Sequence, residues 1–344
     1  MRAAVLRAYR APLSLEDVPE PDCPDDGVIL KVLACGICRS DWHGWSGEHP
    51  RVKPGQIGGH EYCGEVVAAG PDATFSVGDR LVAPFILACG HCPQCRMGAQ
   101  NTCLDQRLPG FVEPGAFAEY VAVPRDHNLT RLPEGMSPTL AAALGCRVTT
   151  AWHALTDRAA LAPGEWLAVH GTGGIGLSAA LLGRAMGARV VVVDVVQEKL
   201  DHALSLGIDA AVMAGEDTAA RIREITSGGA QVSVEALGIP ATVNASIECL
   251  APLGRHVQVG MPVGHTARME VNMNAVYMGN IALFGTRGMP SWRYPSLLAL
   301  IESGGVDLSP LIARKVRLSD VSRELAAFDG PTPPGVAVVT DFGA

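Results

Sequence analysis

The sequence predicts an α/β chain with an added β-rich part: a β domain built from residues 1–150 and 285–344, and a doubly wound parallel sheet over residues 151–284. Three observations lead there. The chain has 344 residues, more than one hydrophobic core usually serves. Its first part carries short β-prone runs broken by Gly and Pro turns. Its second part alternates apolar strands with helix-period segments, the pattern of a parallel sheet with crossover helices.

In the first part, residues 28–34 read as a strand after the turn-rich segment Pro21–Gly27. Residues 65–69 and 79–83 are two more, joined through Gly70-Pro71-Asp72 and Val77-Gly78, and residues 116–123 form another that stops at Pro124. Short strands with such turns suggest a barrel-like or irregular β domain. In the second part the order is strand 165–170, helix 174–186, strand 190–193 and helix 198–206, which Gly207 ends. A strand at 211–213, a helix at 217–226, a strand at 232–235, a helix at 241–250 and a strand at 255–259 follow, with a further strand at 281–284. A helix at 296–303 and a strand at 336–339 return to the first domain.

Hydrophobic residues make up 48% and charged residues 18%, the balance of a globular protein rather than a disordered one. The net charge of −8 argues against a nucleic-acid partner, whose phosphates need a basic face. Arg7 and Arg10 interrupt any apolar leader. The longest uncharged run, 166–183, just meets the roughly 18-residue minimum for a spanning helix, but it contains His170 and five glycines. A cytoplasmic protein with no membrane partner is therefore expected. In a reducing compartment its ten cysteines are more often metal ligands than disulfides.

Gly171, Gly173 and Gly176, with Gly174 and Ile175 between them, form G-x-G-x-x-G after a predicted strand and at the start of a predicted helix. Asp194 ends the next strand. That context is what a dinucleotide fingerprint requires. Gly171 permits the turn, Gly173 lets the backbone approach a pyrophosphate, and Gly176 lets helix and strand pack closely, while the helix N-terminus offers free N–H groups. Asp194 would accept from the adenosine ribose hydroxyls and repel a 2′-phosphate, which favours NAD over NADP. Lys199 reaches the same ribose or lies on a solvated helix face.

Cys89, Cys92, Cys95 and Cys103 are spaced C-x2-C-x2-C-x7-C, enough to close a tetrahedral structural zinc within a lobe at 86–106. An Fe–S cluster is the chemical alternative. A second site has to be assembled from separate pieces. The stretch 34–44 contains Cys35, Cys38, Arg39, Ser40, Asp41 and His43, and His60-Glu61 lies a little further on. Cys38 and His60 are the natural first ligands of a catalytic zinc, which takes three protein ligands and leaves one position open. Cys146, at the junction of the two parts, fits either a third ligand or a small core residue. Glu61 is placed to lie beside the metal, and Asp41 to fix the His60 tautomer from behind.

Taken together, C-G-I-C-R-S-D-x-H at 35–43, G-H-E at 59–61, the four-cysteine lobe, G-C at 145–146, the glycine fingerprint and Asp194 resemble the zinc-dependent medium-chain alcohol dehydrogenases over nearly the whole chain. The resemblance implies a GroES-like catalytic domain and a Rossmann domain with the active site between them. It implies two zinc ions per chain and reversible oxidation of a primary or secondary alcohol to an aldehyde or ketone by hydride transfer to NAD. It selects Cys38 over Cys35 and makes Cys146 the third ligand. It also implies that Ser40 and His43 carry the proton, that Arg39 holds the pyrophosphate, that Thr150 lies against the nicotinamide, and that the chain is a homo-oligomer, a tetramer rather than a dimer. A polyol dehydrogenase and a non-catalytic NAD- or zinc-binding redox sensor on the same fold are the alternatives. The first group often lacks the third cysteine and the structural zinc, and a sensor need not keep the proton path.

Two features depart from the family pattern. Where many relatives place a pyrophosphate-binding arginine near the C-terminal strand, this chain has Pro333-Pro334-Gly335-Val336, and Arg147 beside Cys146 has no role in that pattern. Trp42, Trp45, Phe85, Phe111 and Trp292 are candidate pocket walls, which would favour an apolar or aromatic alcohol over a sugar, although residues of this kind taken singly are more often core packing.

Overall fold

The computed structural model describes residues 1–330 and 332–343. Two large sheets organise it. The first runs in the order Ile312–Arg317, Val336–Asp341, Val28–Gly36, Glu61–Ala69, Arg80–Val82 and Thr130–Arg131, with Tyr120–Val123 pairing along Val28–Gly36. Most of its pairings are antiparallel, and only Ile312–Arg317 and Val336–Asp341 run side by side in parallel. The C-terminal strand thus pairs with Val28–Gly36 and joins Ile312–Arg317 to the N-terminal sheet.

The second sheet has six parallel strands in the order Ala210–Met213, Arg189–Asp194, Trp166–His170, Ala230–Glu235, Leu250–Gln258 and Ala282–Gly285. The chain order reverses between Trp166–His170 and Ala230–Glu235. Ligands of doubly wound sheets bind at the carboxyl end of that switch point. Leu167, Val169, Val190 and Val192 pack into one core cluster, and Ala168, Val191 and Val193 into another. Both faces are buried, which explains why these strands read as unbroken apolar runs. The first of these clusters also takes in Ala34, Cys63, Val82 and Val338 from the other sheet, so the two parts share a continuous core.

Three local differences from the sequence reading have clear causes. Residues 116–118 are buried but do not join the ladder: the Ala116 and Phe117 N–H groups donate to the Gly59 and Gly58 carbonyls instead, and the regular strand begins at Tyr120. The stretch 39–46 is a helix, Arg39–Ser46, which starts when the Asp41 carboxylate accepts from the Cys38 N–H at 2.9 Å and ends at Gly47 in a left-handed conformation. Two helices, Pro138–Ala143 and Arg147–His153, carry the chain through the boundary expected at residue 150. Among the described residues no helix is long and apolar enough to cross a membrane.

Because Val336–Asp341 lies between two other strands, a chain truncated after Gly335 exposes both ladders at once. We expect it to lose its cooperative thermal transition by circular dichroism and to elute as aggregate in size-exclusion chromatography.

Candidate active site

The strand Val28–Gly36 delivers Cys38 to the N-cap of the helix Arg39–Ser46, while Glu61–Ala69 pairs beside it and brings His60 and Glu61 to the same level. Cys146 arrives at the N-cap of the helix Arg147–His153. The ligand atoms of Cys38, His60, Glu61 and Cys146 all lie within 4.8 Å of one another, and all four residues are buried. The Asp41 carboxylate accepts from His60 Nδ1 at 2.8 Å and from the Gly59 N–H at 3.2 Å. With Nδ1 carrying the proton, Nε2 presents a lone pair. That Nε2 is buried and has no protein partner. The neighbouring Cys146 foremost, and His60 after it, hold the Cys38 thiol well below its ordinary value. A thiolate, a second thiol and an unpartnered imidazole nitrogen on one spot are a donor set that fits a zinc ion. Cys35 is buried, its thiol raised by burial, and packs in the core.

The four-cysteine lobe fits zinc by geometry. Sγ–Sγ separations of 3.5 Å for Cys92–Cys95 and 3.9 Å for Cys89–Cys95 and Cys92–Cys103 bracket the tetrahedral edge of about 3.8 Å set by Zn–S bonds of about 2.3 Å. The Cys89 and Cys92 N–H groups donate to Cys103 and Cys89 sulphurs at 3.2 and 3.3 Å. Backbone N–H groups, that of Leu104 foremost, draw Cys92 down to about 6.

Cys146 lies on the floor of a cleft of about 1180 Å³ that Ser40, Thr150 and Ile175 also line. The Thr150 hydroxyl is buried and has no protein partner. Phe85 and Phe111 stand against the His60 ring with centroids 5.8 and 4.6 Å away. Trp292 lies at the rim, its indole N–H donating to the Gly98 carbonyl. Trp42 and Trp45 are not cleft walls: their indole N–H groups are turned to Asp329 and to the Ala11 carbonyl, which fixes the rings in the core. His49, Asn101, His153, Gln258 and Arg287, which motif reading missed, also line the cleft. Their only sequence signal is polarity, in loops or at the ends of a helix and a strand, which does not say what the side chain faces. His43 stands behind the cleft, with Nδ1 2.9 Å from a Glu48 carboxylate oxygen.

The glycine loop has the shape a pyrophosphate needs. Gly171 sits at φ 92°. A Cβ on Gly176 would lie 1.7 Å from the Gly171 carbonyl oxygen, whereas nothing lies within 4 Å of one on Gly173. The first glycine is there for the turn, the last for packing, and the middle one faces open space. The helix Gly174–Ala185 has no side chain capping its N-terminus, which leaves its first N–H groups for an anion. Asp194 accepts from the Thr172 N–H and hydroxyl at 2.8 and 2.7 Å. Lys199 Nζ donates to the Thr332 hydroxyl at 3.2 Å. Arg39 lies over the Trp42 ring at 4.4 Å and donates to the Phe328 carbonyl, contacts it must leave to meet a phosphate.

The structure also accounts for Arg147. Its Nε donates to both Glu61 oxygens at 3.0 and 2.7 Å, and Nη2 donates to Glu61 again and to the Ile37 carbonyl at 3.1 Å. Both side chains are buried. Burial pushes the Glu61 carboxyl up and Arg147 pulls it back. Glu61 therefore sits beside Cys38, His60 and Cys146 with its oxygens claimed by Arg147. The Nη1 end lies 3.1 Å from where a Gly174 Cβ would be, so one guanidinium connects the metal site to the glycine loop.

A β domain holding a buried Cys-His-Cys set, joined to a parallel-sheet domain with a dinucleotide loop, defines a metal-dependent dehydrogenase fold. The family described as Alcohol dehydrogenase GroES-like domain matches residues 24–134, and that described as Zinc-binding dehydrogenase matches residues 174–303. An alcohol dehydrogenase of Geobacillus stearothermophilus is 35% identical over 266 residues, 76% of this chain and 78% of that protein. An L-threonine 3-dehydrogenase of Saccharopolyspora erythraea is 32% identical over 96% of this chain and 95% of its own length. The solved structure of the alcohol dehydrogenase TADH from Thermus sp. ATN1 superposes with a TM-score of 0.90 at 28% identity, covering 99% of this chain and 100% of that one. The chain belongs to the zinc-type medium-chain alcohol dehydrogenase family, a family of oxidoreductases.

Removing one partner of a buried ion pair costs about 3–5 kcal/mol. Arg147→Met is expected to lower stability in urea denaturation by that order, and adding Glu61→Gln is expected to recover part of the loss.

Proposed function

We propose that this protein is an NAD- and zinc-dependent dehydrogenase that reversibly oxidises a primary or secondary alcohol to an aldehyde or ketone. The observation that carries the reading is the buried, partnerless His60 Nε2 beside the Cys38 and Cys146 sulphurs, with Cys146 and Ile175 of the glycine loop lining one cleft. Two zinc ions per chain are proposed, one held by Cys38, His60 and Cys146 and one by Cys89, Cys92, Cys95 and Cys103. When bound, the first supplies a Lewis acid toward the substrate oxygen and the dinucleotide supplies the hydride acceptor.

The chain's own residues do the rest. Phe85 and Phe111 exclude water and orient an apolar carbon skeleton, which favours simple alcohols over polyols. Ser40, at the cleft, is placed to accept the proton from the substrate hydroxyl. His43, backed by Glu48, is assigned the outer end of that path. Burial lowers the His43 pKa and Glu48 opposes the shift. Thr150 and Ile175 set the nicotinamide plane, the N–H groups at Gly173–Gly176 and Arg39 hold the pyrophosphate, and Asp194 with Lys199 takes the ribose.

We further propose that the chain self-associates, as a tetramer in preference to a dimer. The strand Ala282–Gly285 is an unpaired sheet edge, and Met273, Tyr277, Met278 and Leu283 beside it are exposed. Long exposed edges and apolar patches are normally covered.

Cys38→Ser is expected to lower kcat by about 10³-fold or more, the loss of a Lewis acid, and to leave one zinc per chain instead of two by atomic emission; unchanged NADH formation across an alcohol panel sinks the catalytic reading. Replacing Asp194 with Ser removes charge-assisted hydrogen bonds. It should raise KM for NAD by about tenfold or more while improving use of NADP. In analytical ultracentrifugation the wild type should sediment above the monomer, and Tyr277→Lys with Leu283→Arg should shift it downward.

A further inference from the structure

The charges on the cleft wall are unequal. Five charged residues line it: Glu48, Arg51, Asp157, Arg158 and Arg287. Both acids are already engaged, Glu48 by His43 and Arg10, Asp157 by His153 and Arg293. None of the three arginines has an ion-pair partner among the described residues. Unpaired cations gathered in one cleft are unexpected in a chain of net charge −8, where carboxylates are in excess.

Two of the three stand close to the metal ligands. The Arg287 guanidinium lies 5.8 Å from the centre of the Phe85 ring, and that ring packs edge-on against His60. It also donates to the Gln106 side-chain oxygen, which orients it. Arg51 follows His49, whose ring stacks on Phe111 at 4.8 Å, and Phe111 in turn lies against His60. Arg51 and Arg287 are near enough to repel each other, and both hold His49 neutral, its pKa brought down to about 4 chiefly by burial. The pyrophosphate end of the cleft is served elsewhere, at Gly173–Gly176, where Arg147 stands.

We propose that Arg51 and Arg287 bind the carboxylate of the substrate, so that the alcohol oxidised here is a hydroxy acid. This rests on the dehydrogenase reading above. The phenylalanines take the carbon chain, and the arginines take the charged end beyond it, each planar guanidinium offering the paired donors that suit a carboxylate. The hydroxyl carbon gives a hydride to the oxidised dinucleotide and its oxygen gives up a proton, leaving an oxo acid; the carboxylate is a handle and is unchanged. With Glu48 and Asp157 both paired, the wall offers no acid to an ammonium group. An amino acid such as threonine is therefore a poorer fit than the amine-free hydroxy acid.

The test compares 3-hydroxybutanoate with 2-butanol, 2-hydroxypropyl phosphate and L-threonine, in the wild type and in Arg51→Gln/Arg287→Gln. We expect kcat/KM for 3-hydroxybutanoate to exceed that for 2-butanol by at least tenfold, the ratio to fall toward one in the double variant, and KM for the acid to rise with salt. Arg287→Lys should restore part of the ratio, which a merely structural role would not do. Calorimetric binding of 3-hydroxybutanoate in the presence of NADH should weaken at least tenfold in the double variant. Oxidation of 2-butanol as efficient as that of the acid overturns the inference and leaves the dehydrogenase reading intact. Preference for the phosphate ester or for threonine overturns it as well. Arginine-dependent binding of the acid with no oxidation of any alcohol overturns the dehydrogenase reading and supports the carboxylate site.

Discussion

The Arg147 guanidinium is the contact on which the arrangement of the cleft depends. It is buried against Glu61, reaches the Ile37 carbonyl, and points its remaining nitrogen at Gly174. Ile37 and Glu61 flank the ligands Cys38 and His60, Arg147 itself follows Cys146, and Gly174 opens the nucleotide helix. A charge this deeply buried is tolerated only with its hydrogen bonds satisfied. Any shift of one element against another would leave it unpaired, so the pair fixes the relative positions of all four.

A similar economy appears at Asp41. One carboxylate starts the helix Arg39–Ser46, orients His60 and accepts from the Gly59 N–H. Local structure and the orientation of His60 are set by the same two oxygens, one reaching back three positions to Cys38 and the other across 19 to His60. The four-cysteine lobe is simpler, because all its ligands come from fifteen consecutive positions and its geometry follows from local turns.

The cleft is chemically graded. Cys146 lies at its floor with Cys38 and His60 beside it, two phenylalanines stand against the His60 ring, and arginines without an ion-pair partner among the described residues line its wall. Each layer suits a different part of one small molecule: an oxygen, a carbon chain and an anionic end.

Much of this was legible in the chain. Gly171, Gly173 and Gly176 declare themselves because a turn, an approach and a close packing each exclude a side chain, and the structure places a carbonyl 1.7 Å from the missing Cβ of Gly176. Cys89 to Cys103 declare themselves because a metal ligand set closed by local turns has a fixed spacing. The parallel sheet is visible because strands buried on both faces must be apolar throughout. Tertiary structure decided the rest. Cys146 reads equally as core until the helix Arg147–His153 sets it beside Cys38. Arg147 has no account until a carboxylate 86 positions away is brought to it. Trp42 and Trp45 look like pocket walls until their indole N–H groups find partners that turn them inward. Arg51 and Arg287 are two unremarkable loop residues in the sequence, because which side of a loop faces a cleft is set by long-range packing and leaves no periodic trace in the chain.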